Sequence, residues 1–226
     1  MKDKIREFLQ IRESSRTRKV RLKYRKGDFT IVKPENTKVD VDKIIENNFD
    51  WFRTHVEEAQ IYRDKIPDRS FEEDAYISIL GDQKQLVIES RRSNSVGEEI
   101  YLAEHLVDRN GVKEELQKTL RNYARNVVHE HLGMYAPLID GSYNKVFIRD
   151  QDTRWGSCSS KGNLNFNWRL VLGPEHVLEY VVVHELVHLE ISNHGLNFEE
   201  RVDELFDQRQ DAENWLNSNS AVLEFK

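Results

Sequence analysis

The sequence predicts an α+β fold. A β-rich N-terminal part with one helix spans residues 1–110, and a second part spans residues 111–226, where a helix carries the chemistry beside a small sheet. Three observations lead there. Residues 20–32 alternate with period two, and residues 39–62 and 112–135 repeat with helical period. A nearly all-apolar stretch, Pro174 to Asn197, contains H-E-x-x-H as His184, Glu185 and His188. At 226 residues the chain is one to two domains, long enough to bury a core. Its 33% charged and 38% hydrophobic residues are ordinary for a soluble protein, and a net charge of -6 does not advertise a nucleic-acid binder. The opening MKDKIREFLQ lacks an apolar signal core, and no run approaches the roughly 20 apolar residues of a membrane span. A single cysteine, Cys158, excludes an internal disulfide and fits a reducing compartment. A cytoplasmic protein that does not enter a membrane is the expectation.

From the N-terminus, residues 5–33 read as β-structure. Val20, Leu22 and Tyr24 alternate with Lys19, Arg21, Lys23 and Arg25, Lys26-Gly27-Asp28 turns the chain, and Phe29 to Val32 returns as the hairpin partner. The basic face is read as solvated, with phosphate contact as the alternative. Val39 to Tyr62 carries Val41, Ile44, Ile45, Phe49, Phe52, Val56 and Ala59 at helical spacing. Arg63 to Asp74 reads as a loop, Tyr76–Leu80 and Gln85–Glu89 as a hairpin, 91–97 as a loop and 99–106 as a strand. Asn110-Gly111 marks the expected domain boundary. Val112 to Tyr135 is an amphipathic helix through Leu116, Leu120, Tyr123, Val127 and Leu132, and its His129 and His131, two apart, are a poor metal pair. After a loop over 137–144, residues 145–150 and 163–172 read as strands flanking RWGSCSSKG. Gly173-Pro174 then starts the H-E-x-x-H helix, with Glu175 and Glu179 suiting its positive end. A last helix begins at Asn197 as its cap and buries Phe198, Val202, Leu205 and later Trp215.

On a helix, residues four apart share a face, so His184 and His188 can point at one metal ion, with Glu185 near enough to act on a water there. An unbroken helix would turn His194 through about 600° from His188, so the helix has to end first, and Ser192-Asn193-His194-Gly195 supplies the breakers. Three imidazoles with one open position suit a catalytic zinc rather than a structural one. Val177, Leu178, Val181–Val183, Leu186, Val187, Leu189 and Ile191 make the helix apolar almost all round, hence buried. Two histidines and a glutamate inside it would cost several kcal/mol unless paired or metal-bound.

The block RWGSCSSKGNLNFNWRL, then EYVVVHELVHLEISNH and a phenylalanine four residues on, closely resembles the YgjP-like metal-dependent hydrolases, related to SprT-like and minimal gluzincin zinc metallopeptidases. The resemblance is specific over residues 145–206 and looser over 5–110. It implies a zincin-like C-terminal part, with His184, His188 and His194 as metal ligands and Glu185 as catalytic acid/base. It also implies strands at Arg154–Cys158 and Asn165–Arg169 flanking the cleft. The first-to-third histidine spacing also matches metzincins, but Ile191 stands where those carry Gly and no Met-turn sequence follows. On the cleft flanks, Arg154 and Arg169 are the cations available to a developing oxyanion, with structural ion pairing, for instance to Asp150 or Asp152, as the alternative. Trp155 and Trp168 read as core, and Cys158 as a small buried thiol.

These readings converge on a zinc-dependent hydrolase acting on peptide or protein substrates. A metal-activated water attacks the carbonyl, and Glu185 takes its proton and passes it to the leaving amine. One Zn²⁺ is expected; other divalent transition metals are the alternatives, and an all-histidine tetrahedral site suits zinc best. Two further classes stay open: a metal-dependent nucleotide pyrophosphatase, an activity attached to the YgjP-like family, and a metal-stabilised module binding nucleic acid or protein. Polyphosphates usually call for Mg²⁺ and carboxylate ligands, which argues for peptide bonds.

Overall fold

The computed structural model describes residues 1–225, and its contacts fall into two units, Met1–Pro67 and the chain from Asp68 onward. In the first unit, α1 (Lys2–Glu7) leads into β1 (Leu9–Glu13); β2 (Arg21–Arg25) and β3 (Asp28–Lys33) follow, then α2 (Val41–Asn47) and α3 (Phe49–Asp64). The sheet order is β1-β3-β2, with β2 antiparallel and β1 parallel to the central strand. Arg21, Lys23 and Arg25 are exposed while Leu22 and Tyr24 are half-buried, as the alternation requires. Lys26 and Gly27 turn the hairpin with φ of 50° and 75°, the positive values that match a two-residue loop to strand twist. Gly27 is also needed for space: a Cβ there would lie 3.1 Å from the Ala59 carbonyl oxygen. Ile5, Phe8, Phe29, Ile45, Phe52, Val56 and Ala59 form the core of this unit.

Two expectations change here. Residues 2–7 are helical, not extended; one turn brings Ile5 and Phe8, three apart, into the same core. The helical stretch also breaks at Asn48, whose side-chain amide donates to the Ile44 carbonyl and ends α2, while the Asp40 carboxylate accepts from the Lys43 N–H to start it.

The second unit holds β4 (Tyr76–Ile79), β5 (Asp82–Glu89), β6 (Ser95–Val96) and β7 (Ile100–Ala103) in the order β4-β5-β7-β6. Helices α4 (Glu104–Asn110) and α5 (Val112–Tyr135) follow, then β8 (Lys145–Arg149), β9 (Gly156–Cys158) and β10 (Asn163–Asn167) in the order β8-β10-β9. The chain finishes with α6 (Glu175–Val187), α7 (Leu196–Leu205) and α8 (Arg209–Asn219). Helix α6 is apolar on every side because it has a neighbour on every side: it packs against α5, α7, α8, β9 and β10. Among the described residues no helix is long and apolar enough to cross a membrane.

The domain boundary expected at Asn110-Gly111 falls inside this unit. Leu86, Ile100 and Leu102 share one core with Leu116, Leu120 and Ala124 across it, and Gly111, with φ of 84°, is the joint between α4 and α5. The strand expected over 99–106 stops at Ala103 and gives way to α4. The strand expected over 163–172 stops at Asn167, whose side chain accepts from the Arg169 N–H and opens a 3₁₀ turn over Trp168–Leu172. All five residues of that turn are buried, which a strand with alternating faces achieves only between two covering layers. The last helix is two helices. Gly195, not Asn197, precedes α7, and Trp215 belongs to α8.

Candidate metal centre

Helix α6 starts after Pro174 and ends at Val187, with His188 as its C-cap, several residues before the expected breakers. The helix tightens as it ends: Leu189 N–H bonds the Leu186 carbonyl and Glu190 N–H that of Val187, each three residues back. The chain reverses, and His194 comes back over the helix. Its Nε2 lies 3.1 Å from the Nε2 of His184 and 3.1 Å from that of His188. The ligand atoms of the three residues all fall within 4.8 Å of one another. Beneath them, Phe198 on α7 packs against every imidazole, edge-on to His184 and tilted to the others, with ring centroids 4.8, 4.5 and 4.9 Å from His184, His188 and His194. The sequence shows Phe198 only as a buried helix position; its place four residues after His194 was the available signal for this contact.

A proton count tests whether these residues fit a cation. His188 Nδ1 sits 3.1 Å from the Ile191 carbonyl oxygen, which has no proton to give, so Nδ1 carries the hydrogen and Nε2 a lone pair. His184 Nδ1 sits 3.1 Å from the Tyr180 hydroxyl, and that hydroxyl donates its one proton to Glu213 Oε1 at 2.8 Å. His184 Nδ1–H therefore donates to Tyr180, and its Nε2 is also a lone pair. Two lone pairs converge on His194 Nε2, which can supply one proton at most. A cation satisfies all three, so the donor set fits a metal ion bound by neutral imidazoles. Burial, reinforced by His188 and His194, pushes His184 down to about 3, and burial lowers His188 too, which keeps both neutral as ligands must be.

Glu185 points from the same helix toward β9. It is 5% exposed, and its Oε2 has no hydrogen-bond partner. Burial pushes its carboxyl up to about 8, against the opposing pull of the Cys158 N–H and the Arg154 charge. Gly156 leaves the room it occupies, since a Cβ there would lie 2.5 Å from Glu185 Oε1. The triad and Glu185 open onto a cleft of about 540 Å³ whose other wall is Arg154 and the Gly156–Ser160 segment.

The two arginines separate. Arg154 lines the cleft. Arg169 does not: it is 8% exposed, its Nε donates to Asp150 at 2.9 Å and its Nη1 to Glu224 at 3.3 Å. The strand expected to carry it has already ended, and the 3₁₀ turn aims it into an ion-pair network. Cys158 is half-exposed on the cleft wall rather than buried, because β9 is an edge strand. Trp168 is core, and Trp155 packs against the core and is not among the cleft-lining residues. His131 is buried in α5 and His129 exposed, and neither belongs to the cluster of ligand atoms.

No curated protein matches the chain. A solved structure, the metallopeptidase zymogen jannalysin of Methanocaldococcus jannaschii, is similar, 27% identical over 42% of this chain and 87% of its own length, with a TM-score of 0.34. Residues 18–219, most of the sequence, match the YgjP-like metallopeptidase domain, and the chain belongs to that family.

Proposed function

We propose that the protein is a zinc-dependent peptidase, its ion held by His184, His188 and His194 through their Nε2 atoms. The observation that carries this reading is the convergence of three Nε2 atoms that have too few protons among them. Bound there, the ion would lower the pKa of the attacking water towards about 7 and would polarise the scissile carbonyl. Glu185 is the acid/base. Its carboxyl, raised by burial, ionises beside a cation, takes the proton of the attacking water and delivers it to the leaving amine. Arg154, on the cleft wall, supplies positive charge to the oxyanion; Arg169, committed to Asp150 and Glu224, does not. In the zincin-like arrangement this implies, β9 forms the upper edge of a cleft that takes an extended peptide or protein segment. The phosphoanhydride alternative finds less support, since Arg154 is the one arginine or lysine among the described residues lining the cleft.

The test is metal content together with cleavage of a peptide library, with nucleoside triphosphates as parallel substrates. Wild type should hold one zinc and cleave peptides, His188→Ala should lose both, and Glu185→Gln should keep zinc and lose about 10²–10⁴-fold in rate. Unchanged turnover in Glu185→Gln would remove the base from the mechanism.

A further inference from the structure

One turn before His184 on α6 stands Tyr180, 7% exposed, the only described side chain that holds the distal nitrogen of a triad member. His188 is held by a main-chain carbonyl instead, so His184 is the ligand whose ring is oriented by side chains. The chain of contacts continues outward. Tyr180 Oη donates to Glu213 Oε1 on α8 at 2.8 Å, and Arg209 Nη1 donates to both oxygens of Glu213 at 3.3 and 3.4 Å. Arg209 is itself fixed by Asp203, with Nε 2.6 Å from Oδ1 and Nη2 3.1 Å from Oδ2. The phenol has one hydrogen and two neighbours, His184 Nδ1 and Glu213 Oε1. The carboxylate is the stronger acceptor, so it takes the phenol hydrogen, which turns the phenol oxygen's lone pair toward His184.

We propose that Tyr180, oriented by Glu213, is a positioning residue that fixes His184 as the Nδ1–H tautomer and so sets the affinity of the triad for its ion. This rests on the zinc reading above. Without the hydroxyl, His184 is free to carry its proton on Nε2, the atom that must bind metal, and to rotate about its side-chain bond. With Glu213 neutralised, the phenol hydrogen has a weaker acceptor and the preference is diluted. The carboxylate reaches the metal ligand through one intervening phenol rather than directly, so the anchor lies on a different helix from the ligand. Outer-shell partners of this kind are worth about 10–100-fold in metal affinity.

Tyr180→Phe keeps the ring that packs against Phe206 and removes only the hydroxyl. Glu213→Gln, at a position with a 32% exposed side chain, perturbs the same relay without touching the core. The full chain is stripped of metal, and zinc affinity is measured by competition with a chromophoric chelator. Nitrogen-15 spectra of the metal-free protein report the histidine tautomers. Tyr180→Phe is expected to bind zinc about 10–100-fold more weakly, and Glu213→Gln more weakly by a smaller factor. The His184 spectrum should shift from one tautomer to a mixture, and the metal-free melting temperature should stay unchanged. Wild type that binds one zinc, with both variants binding it as tightly, overturns the relay and leaves the triad standing. Wild type that binds no zinc overturns the triad itself, and the inference with it.

Discussion

Replacing Gly156 with alanine isolates the placement of Glu185 from the holding of the metal. An added Cβ would lie 2.5 Å from Glu185 Oε1, 2.7 Å from its Cγ and 2.9 Å from its Cδ, where ordinary contact begins at 3.4 Å. The carboxylate must therefore retreat by about 0.9 Å, a displacement of the size that costs about 10²-fold in rate when it falls on a reacting group. The atoms met belong to a side chain, not to backbone, so the displacement falls on Glu185. Gly156 is also not among the residues with positive φ, which frees the substitution from backbone strain. The imidazoles are not among the nearest atoms, so zinc affinity should stay within a few-fold of wild type. The assay is kcat/KM on a quenched fluorescent peptide chosen from the library cleavage, with zinc stoichiometry measured on the same sample. Full turnover in zinc-loaded Gly156→Ala would refute the role of this contact. Loss of zinc in that variant would show that Glu185 and the triad are not separable in the way the geometry implies.

The two arginines should part company in solution. Arg154→Ala is expected to keep zinc and stability but lose about 10²–10³-fold in kcat, as removal of one oxyanion donor does; wild-type kcat would dismiss it from the cleft chemistry. Arg169→Ala removes the buried cation that Asp150 and Glu224 share and should destabilise the fold by about 3 kcal/mol, read as a lower urea midpoint. An unchanged midpoint would contradict that network. Glu115, 4% exposed, is pushed up by burial, but hydrogen bonds from Lys118, Asn110 and Asn94 outweigh this and hold its carboxyl below the usual carboxylate range. The unfolded chain then binds more protons than the folded one as the medium acidifies. Its contribution to stability is complete above about pH 4.3 and fades as pH falls through the lower folded value. Urea midpoints from pH 7 to pH 3 should fall more steeply for wild type than for Glu115→Gln, and parallel curves would count against the network.

The candidate site was written locally, which is why the sequence could put it forward. His184, Glu185 and His188 depend only on the period of a helix, and the need for a chain reversal before His194 follows from the same period. The long helix over residues 112–135 formed at its expected bounds because one strongly amphipathic face admits one solution. What escaped the sequence were the decisions taken between distant segments. Asn110-Gly111 looks like a domain boundary until Leu86 and Leu102 are seen packed with Leu116 and Leu120. Arg154 and Arg169 look equivalent until a capped 3₁₀ turn sends one into an ion-pair network and β9 leaves the other on the cleft. Tyr180 was one helical turn from a named ligand, but its partner Glu213 lies on another helix, so the relay had no local signature. The sequence by itself put forward the three histidines and the glutamate as candidates, because the spacing of His184, Glu185 and His188 is a property of one helix and His194 follows its necessary end. The tertiary structure alone decided what surrounds them, because burial and ion pairing depend on which segments meet across the core.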